Sequence, residues 1–306
     1  MIDKQYLPEG TLIKTQSNKE SLSSIFALEE ARKSGKILEA RVNLCTSAFE
    51  LSVDLGVCRG IIPHEEVAWS EDNSLPRDIA VITRVGKAVS FVVDSITTTE
   101  EGEQIAYLSR RRAQEACVKN YLNKLEIGDV IDAKITHFEP FGAFCDIGCG
   151  IISLLSIDSI SVSRISHPSD RFMIGEVIRA VVKSREEPLP VRGNISNGRI
   201  ALSHKELLGT WRENAARFNI GQTVAGVVRS IENYGIFVEL APNLAGLAEY
   251  KSGVEVGEVA SVYIKNIIPE KMKVKLVIVD SYTAERSIIK NEYFIKSGNV
   301  SDWTYG

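Results

Sequence analysis

Two short runs in this 306-residue chain carry the same side chains in the same order: Phe141-Gly-Ala-Phe-Cys-Asp146 and Tyr234-Gly-Ile-Phe-Val-Glu239. Neither run sets a nucleophile beside a base or gathers metal ligands. Two rings three residues apart offer flat apolar faces instead. Such faces suit stacking of nucleic-acid bases, or anchoring of a protein partner.

Strands must position these rings. From Ala143 to Ile147 the residues alternate, placing Ala143, Cys145 and Ile147 on one face and Phe144 and Asp146 on the other. In the second run Ile236, Val238 and Leu240 point inward, leaving Phe237 and Glu239 outward. The odd spacing of Phe141 and Phe144 would send them to opposite faces of a regular strand. Gly142 is expected to permit a bulge that returns both rings to one exposed face. One exposed phenylalanine carries little weight, because most strand phenylalanines are core residues. The recurrence of ring, glycine, ring and acid favours an exposed platform.

That recurrence belongs to a longer repeat. Gly35, Gly128 and Gly221 follow one another at a spacing of 93 residues, and the same offset relates the two ring runs. Around each glycine lie short strands at regular spacing, the pattern of a small barrel or sandwich. The expected organisation is an N-terminal extension over 1–33, with a helix from Ser21 to Lys33 stopped by Gly35, then a first unit over 34–108. One of its strands is expected over 79–85. A linker helix over 109–124 opens with Arg110, Arg111 and Arg112, which oppose the helix dipole; the alternatives are an anionic group that balances them and, favoured, a solvated basic turn. The second unit spans 125–203. A linker helix over 204–217 follows the capping-box pattern Ser203-His-Lys-Glu206. The third unit spans 218–281, and the tail over 282–306 carries Tyr293, Phe294, Trp303 and Tyr305 without a readable role. In the first unit Asp54 takes the acid position, so Phe49 and Ser52 stand where the other units have rings. One ring is lost there.

Composition narrows the function. Hydrophobic residues make up 44% and mean hydropathy is −0.01, as in soluble globular proteins. No apolar run is long enough to span a membrane, and the first residues lack a basic-then-apolar leader. Five cysteines without a Cys-x-x-Cys pair suggest reduced thiols in the cytoplasm. Net charge is −4, so polyanion binding would rest on local arrangement and not on a global field. His64-Glu-Glu lacks the second histidine of a zinc helix, and Cys145 and Cys149 have no completing ligands. Ser166-His-Pro-Ser-Asp170 has no nucleophile elbow, and Gly148-x-Gly150 reads as a hairpin turn. The expectation is no enzyme, no metal and no cofactor.

Taken together, the motifs resemble the RNA-binding domain of the bacterial ribosomal protein S-one family. In the second unit they are Gly128–Ile135, Phe141–Asp146, Gly150–Ile152 and Leu202-Ser-His-Lys205. The third unit matches through Gly221–Val228, Tyr234–Glu239 and Gly246–Ala248, and the first more weakly through Val53–Pro63 and Leu108-Ser-Arg-Arg. The resemblance covers residues 34 to 282. It implies a mainly β chain of three tandem OB-fold domains, five-stranded β-barrels joined by short helices. It also implies an RNA face built from Phe141 and Phe144, from Tyr234 and Phe237, and from a basic residue opening the last strand. Arg199 matches that residue, with Lys273 as its counterpart. The family's histidine after the third-strand glycine is replaced by Pro63, Ser153 and Glu249, and His137 or His167 are candidates to stand in. Lys134, Arg229, Lys265 and Arg199 are candidates to meet phosphates.

The expectation is therefore a cytoplasmic binder of single-stranded RNA or mRNA, acting in translation at the small ribosomal subunit and not at a membrane. The second and third units would carry RNA, and the first would dock small-subunit ribosomal proteins. The competing expectation is a ribosome-associated adapter whose rings anchor a protein.

Overall fold

The computed structural model describes residues 5–70, 74–186, 198–284 and 289–306. The chain enters through two helices, α1 (Gln16–Ser21) and α2 (Ile25–Ser34). Thr15 and Ser24 cap them by accepting from the backbone N–H of Asn18 and Ala27, and Gly35 ends α2 in the left-handed conformation. Leu28 and Ala31 of α2 are buried in the first barrel's core.

That barrel comprises β1 (Leu38–Cys45), β2 (Leu51–Asp54) and β3 (Arg59–Ile62), then α3 (Asp78–Ile82), β4 (Ala88–Thr98) and β5 (Gln104–Ser109). The order β1-β2-β3-β5-β4 closes by antiparallel pairing of β1 with β4. The strand expected over 79–85 is instead α3 and a following turn. A barrel closed by β4 has no free edge for another strand, and only Val81 of α3 is buried.

After α4 (Arg110–Asn120) the second barrel follows: β6 (Val130–Glu139), β7 (Gly142–Asp146), β8 (Ile152–Ser156), β9 (Val177–Arg185) and β10 (Ile200–Ser203). The helix expected over 204–217 is broken into a 3-10 turn at Lys205–Leu208 and α5 (Trp211–Ala215). Gly209, at φ 81°, interrupts it, and a Cβ there would lie 2.7 Å from the Phe294 ring. Thr210 and Glu213 form the capping box. The Ser203 hydroxyl instead donates to the Ser159 carbonyl at 3.3 Å. The third barrel comprises β11 (Thr223–Glu232), β12 (Gly235–Ala241), β13 (Leu244–Ala248), β14 (Val259–Ile268) and β15 (Lys273–Tyr282). All three barrels close in the same strand order. The protein is thus mainly β, with three tandem five-stranded barrels of the OB type.

The expected bulge at Gly142 lies elsewhere. The first strand of each barrel slips register, between Val42 and Leu44, Ile135 and His137, and Val228 and Ser230. Gly142 pairs regularly with Glu139, and a Cβ there would sit 2.5 Å from the Leu155 carbonyl oxygen. Close approach of backbones makes it glycine. Phe141 escapes strand alternation by preceding β7.

The joints between barrels overturn two further expectations. Asp146 and Glu239 point away from their own barrels, yet both are buried. Asp146 accepts from the N–H groups of Glu9 at 2.7 Å, Gly148 at 2.9 Å and Gly150 at 3.0 Å. Glu9 in turn accepts from Arg110 at 2.7 and 3.1 Å and from the Ser90 N–H at 3.0 Å. Residues 9 and 10 thereby stitch the first barrel to the second, and Glu39 accepts from the Gly10 and Ile13 N–H groups. Arg110, Arg111 and Arg112 are not a solvated turn. Arg110 is only 2% exposed on Glu9, Arg111 pairs with Glu66 and Glu115, and Arg112 pairs with Asp94. Burial pushes Asp146 and Glu39 each up to about 7. Burial is also the largest single influence on Glu9, but the charge and hydrogen bonds of Arg110, the Arg84 charge and the Ser90 N–H together outweigh it and hold that carboxyl below the ordinary range.

At the other joint Glu239 lies 2.5 Å from both Arg171 of the second barrel and Arg229 of its own. The tail is laced across these two barrels. The Tyr293 hydroxyl accepts from the Arg179 N–H at 3.2 Å and lies 3.1 Å from His204 Nε2. The Val300 N–H donates to the Gly128 carbonyl, and the Tyr305 hydroxyl donates to that of Asn243.

Candidate nucleic-acid interface

The platform on the second barrel has three rings. Phe141 is 54% exposed, and its centroid lies 6.1 Å from that of half-buried Phe144 at an interplanar angle of 82°. His137 faces Phe144 across the β6–β7 register and stacks on it at 4.4 Å and 5°. The β6 bulge makes this arrangement: Thr136, in the slip, donates its hydroxyl to the Phe144 carbonyl at 2.9 Å, which leaves His137 directly opposite the ring. His167 lies away from the platform. Its Nδ1 accepts from the Ser169 N–H and caps the turn Pro168–Asp170, and its ring meets Phe138 edge-on.

The third barrel repeats the geometry. Tyr234 is 69% exposed and its centroid lies 6.1 Å from that of Phe237 at 88°. Ser230 stands opposite Phe237, where the second barrel has His137. A groove of about 550 Å³ runs beside the rings, lined among others by Leu247, Lys265, Lys273 and Lys275. These lysines are exposed, and among the described residues their only ion pair is a loose one of 3.9 Å from Lys265 to solvent-exposed Glu249. Lys275 went unread in the sequence. Its signal was simple alternation from Lys273, two residues earlier on the same face.

Register also relates the basic residues that open the last strands. Ala201 pairs with Leu154 and Lys275 with Leu247, so Arg199 and Lys273, each two residues earlier, are equivalent. Both are exposed. The two other cations are not on the platforms. Lys134 donates to the Glu9 carbonyl at 2.7 Å within the first joint. Arg229 is held by Glu239 and lies 3.7 Å from Asp170, with 10% of its side chain exposed. A residue outward on its barrel has become inward in the molecule.

One alignment changes as well. Val53 pairs with Gly60, Cys145 with Ser153 and Val238 with Gly246. Ser153 therefore occupies the third-strand glycine position, and Ser156, not Ser153, shares the place of Pro63 and Glu249. Ser153 is buried, donating to the Ile200 carbonyl at 2.5 Å. Gly150, at φ 78°, serves the joint: any side chain there would collide with the Arg110 guanidinium and Glu9.

In the first barrel Phe49, at φ 60°, packs on the core and lies 5.5 Å from the His64 ring. Ser52 and exposed Leu44 hold the other platform positions. The remaining ring has turned in, and no platform forms. Among the described residues no group of three or more His, Cys, Asp or Glu side chains is placed to hold a metal, and no helix is long and apolar enough to cross a membrane.

Comparison with known proteins adds to this geometry. The S1 RNA binding domain family matches residues 124–187. The small ribosomal subunit protein bS1 homolog of Bacillus subtilis is 28% identical over 268 residues, covering 85% of this chain and 64% of the relative. The small ribosomal subunit protein bS1 of Staphylococcus epidermidis is 29% identical over 243 residues, covering 78% and 57%. The chain thus spans about six-tenths of the length of these relatives. A solved multidomain protein with nucleic acid binding domains from Streptococcus pneumoniae covers 80% of this chain and 74% of its own at 12% identity. Its TM-score of 0.24 is too low to argue from.

Proposed function

We propose that the chain is a member of the bacterial small-subunit ribosomal protein S1 family, which it resembles in its second barrel and over most of its length, and that it holds single-stranded RNA, mRNA in particular, during translation at the small ribosomal subunit. The observation that carries this reading is the twin ring geometry on equivalent strands of two barrels, with exposed basic residues beside each. Bases stack on Phe141, Phe144 and His137 and on Tyr234 and Phe237, while Arg199, Lys265, Lys273 and Lys275 meet phosphates. Stacking tolerates any base, so sequence preference at the rings is weak. The first barrel, without a platform, docks a protein of the small subunit, and the chain works in the cytoplasm without catalysing a reaction.

The test is to replace Phe141, Phe144, Tyr234 and Phe237 with alanine and titrate labelled oligo-U. A folded variant that binds like the parent sinks the proposal. The acidic net charge favours a second reading, in which the rings anchor a protein. Salt separates the two: RNA affinity falls steeply with salt, and an apolar protein contact does not.

A further inference from the structure

A second groove, of about 350 Å³, opens on the other side of the Tyr234–Phe237 pair, at the joint between barrels. Its walls include Val162 and Arg164 from the second barrel and Ser230 and Glu232 from the third. The loop that brings Arg164 here is clamped. The Val162 N–H donates to Asn243 Oδ1 at 3.0 Å, the Ser163 N–H to the Pro242 carbonyl at 3.0 Å, and the Ser163 hydroxyl to the Ala241 carbonyl at 3.3 Å. Arg164 itself is exposed, and among the described residues its guanidinium has no carboxylate or hydrogen-bond partner. Nearby Arg171 and Arg229, by contrast, are both spent on Glu239.

We propose that this groove is a nucleotide subsite completed across the joint, in which Arg164 of the second barrel binds a phosphate of the RNA stacked on the third. The inference rests on the RNA reading above. Lys265, Lys273 and Lys275 flank the rings on one side only, and a strand that passes over them carries phosphates to both sides. Among the described residues Arg164 is a free cation on the far side. Glu232 sets the orientation within the groove. Its carboxylate repels a phosphate, so the backbone lies toward Arg164 and the base edge toward Glu232 and Ser230. A carboxylate accepts from the amino group of cytosine or adenine and faces a carbonyl in uracil, so this subsite prefers amino-bearing bases. The rings themselves do not select; the joint does.

The test uses the full chain with labelled oligo-C and oligo-U over a salt series. Arg164→Ala is expected to weaken both several-fold and to lower the slope of log affinity against log salt by about 0.7, one single-strand phosphate contact. Arg164→Lys is expected to keep the slope, and Lys119→Ala, an exposed change on α4, to alter neither quantity. Glu232→Gln is expected to narrow the preference for oligo-C over oligo-U. If Tyr234→Ala and Phe237→Ala weaken binding while Arg164→Ala leaves affinity and slope intact, the joint subsite is overturned and the RNA reading stands. If the ring variants bind normally, the RNA reading falls and the subsite with it. Equal affinity of the parent for oligo-C and oligo-U overturns the orientation assigned to Glu232.

Discussion

Phe144 has a ring on each side, His137 face to face and Phe141 edge-on, so its rotamer is set before any ligand arrives. Base stacking is worth about 1–3 kcal/mol per base, so Phe144→Ala is expected to lower oligonucleotide affinity by at least that much, because it also frees His137. Tyr234→Phe keeps the flat face and is expected to bind RNA like the parent, whereas Tyr234→Ala loses one stacking contact; fluorescence titration reads both. Lys134 and Arg229 give the contrasting result. Both are engaged within joints, so Lys134→Met is expected to leave RNA affinity and its salt slope unchanged while lowering the melting temperature. Sequence inspection could rank these lysines and arginines only by proximity to the motif. Whether a cation is free depends on what lies opposite it, and that partner is distant in the chain.

Strands and turns carry the joints. The acid that ends the ring motif was legible as a repeated residue, but its role was not. Asp146 and Glu239 each meet the unit that precedes them, while Asp54, with no barrel before it, stays exposed. Removing one partner of a buried ion pair costs about 3–5 kcal/mol, so Glu239→Gln, which leaves Arg171 and Arg229 uncompensated, is expected to lower stability by that order in urea unfolding. The first joint responds to pH. Asp146 and Glu39 hold their protons up to about 7 when folded and release them near 3.8 and 4.5 when unfolded. The folded state therefore binds more protons between those values. Their contribution is full below about pH 4 and is lost as pH rises through about 7. Calorimetry is expected to show greater stability at pH 5.5 than at pH 8, with a smaller difference in Glu39→Gln. His204 has the opposite sign: burial lowers it to about 4, so its contribution is present above 6.5 and is lost as pH falls through 4.

In the whole molecule, the second and third barrels are held together by the Glu239 pairs, the Asn243 contacts and a tail that crosses both. Linked sites gain avidity only when both can be engaged at once, and a stiff joint keeps the two platforms at a fixed separation. Truncation before residue 289 removes the Tyr293, Val300 and Tyr305 contacts. It is expected to weaken binding of an oligonucleotide long enough to span both barrels while leaving that of a short one near the parent value. An acidic chain that binds RNA must do so through placement. Exposed Arg199, Lys265, Lys273 and Lys275 flank the rings, and in the joints Glu9 neutralises Arg110 while Glu239 neutralises Arg171 and Arg229.

Alternation, the 93-residue spacing and the ring-glycine-ring pattern were readable because they are local: side-chain direction in a strand follows from backbone geometry within a few residues. They were enough for three repeated β units, each a small barrel or sandwich, and for ring runs in two of them; the choice of the barrel came from the resemblance to the S-one family. Barrel closure turned an apolar stretch into α3, and the β6 bulge placed His137 on Phe144. Docking of one barrel on the next hid Asp146, Glu239, Lys134 and Arg229. Those outcomes depend on surfaces brought together from residues as far apart as Glu9 and Asp146, and no spacing within either stretch encodes that meeting. The platform was written in the motif; which charges serve it was decided by the joints.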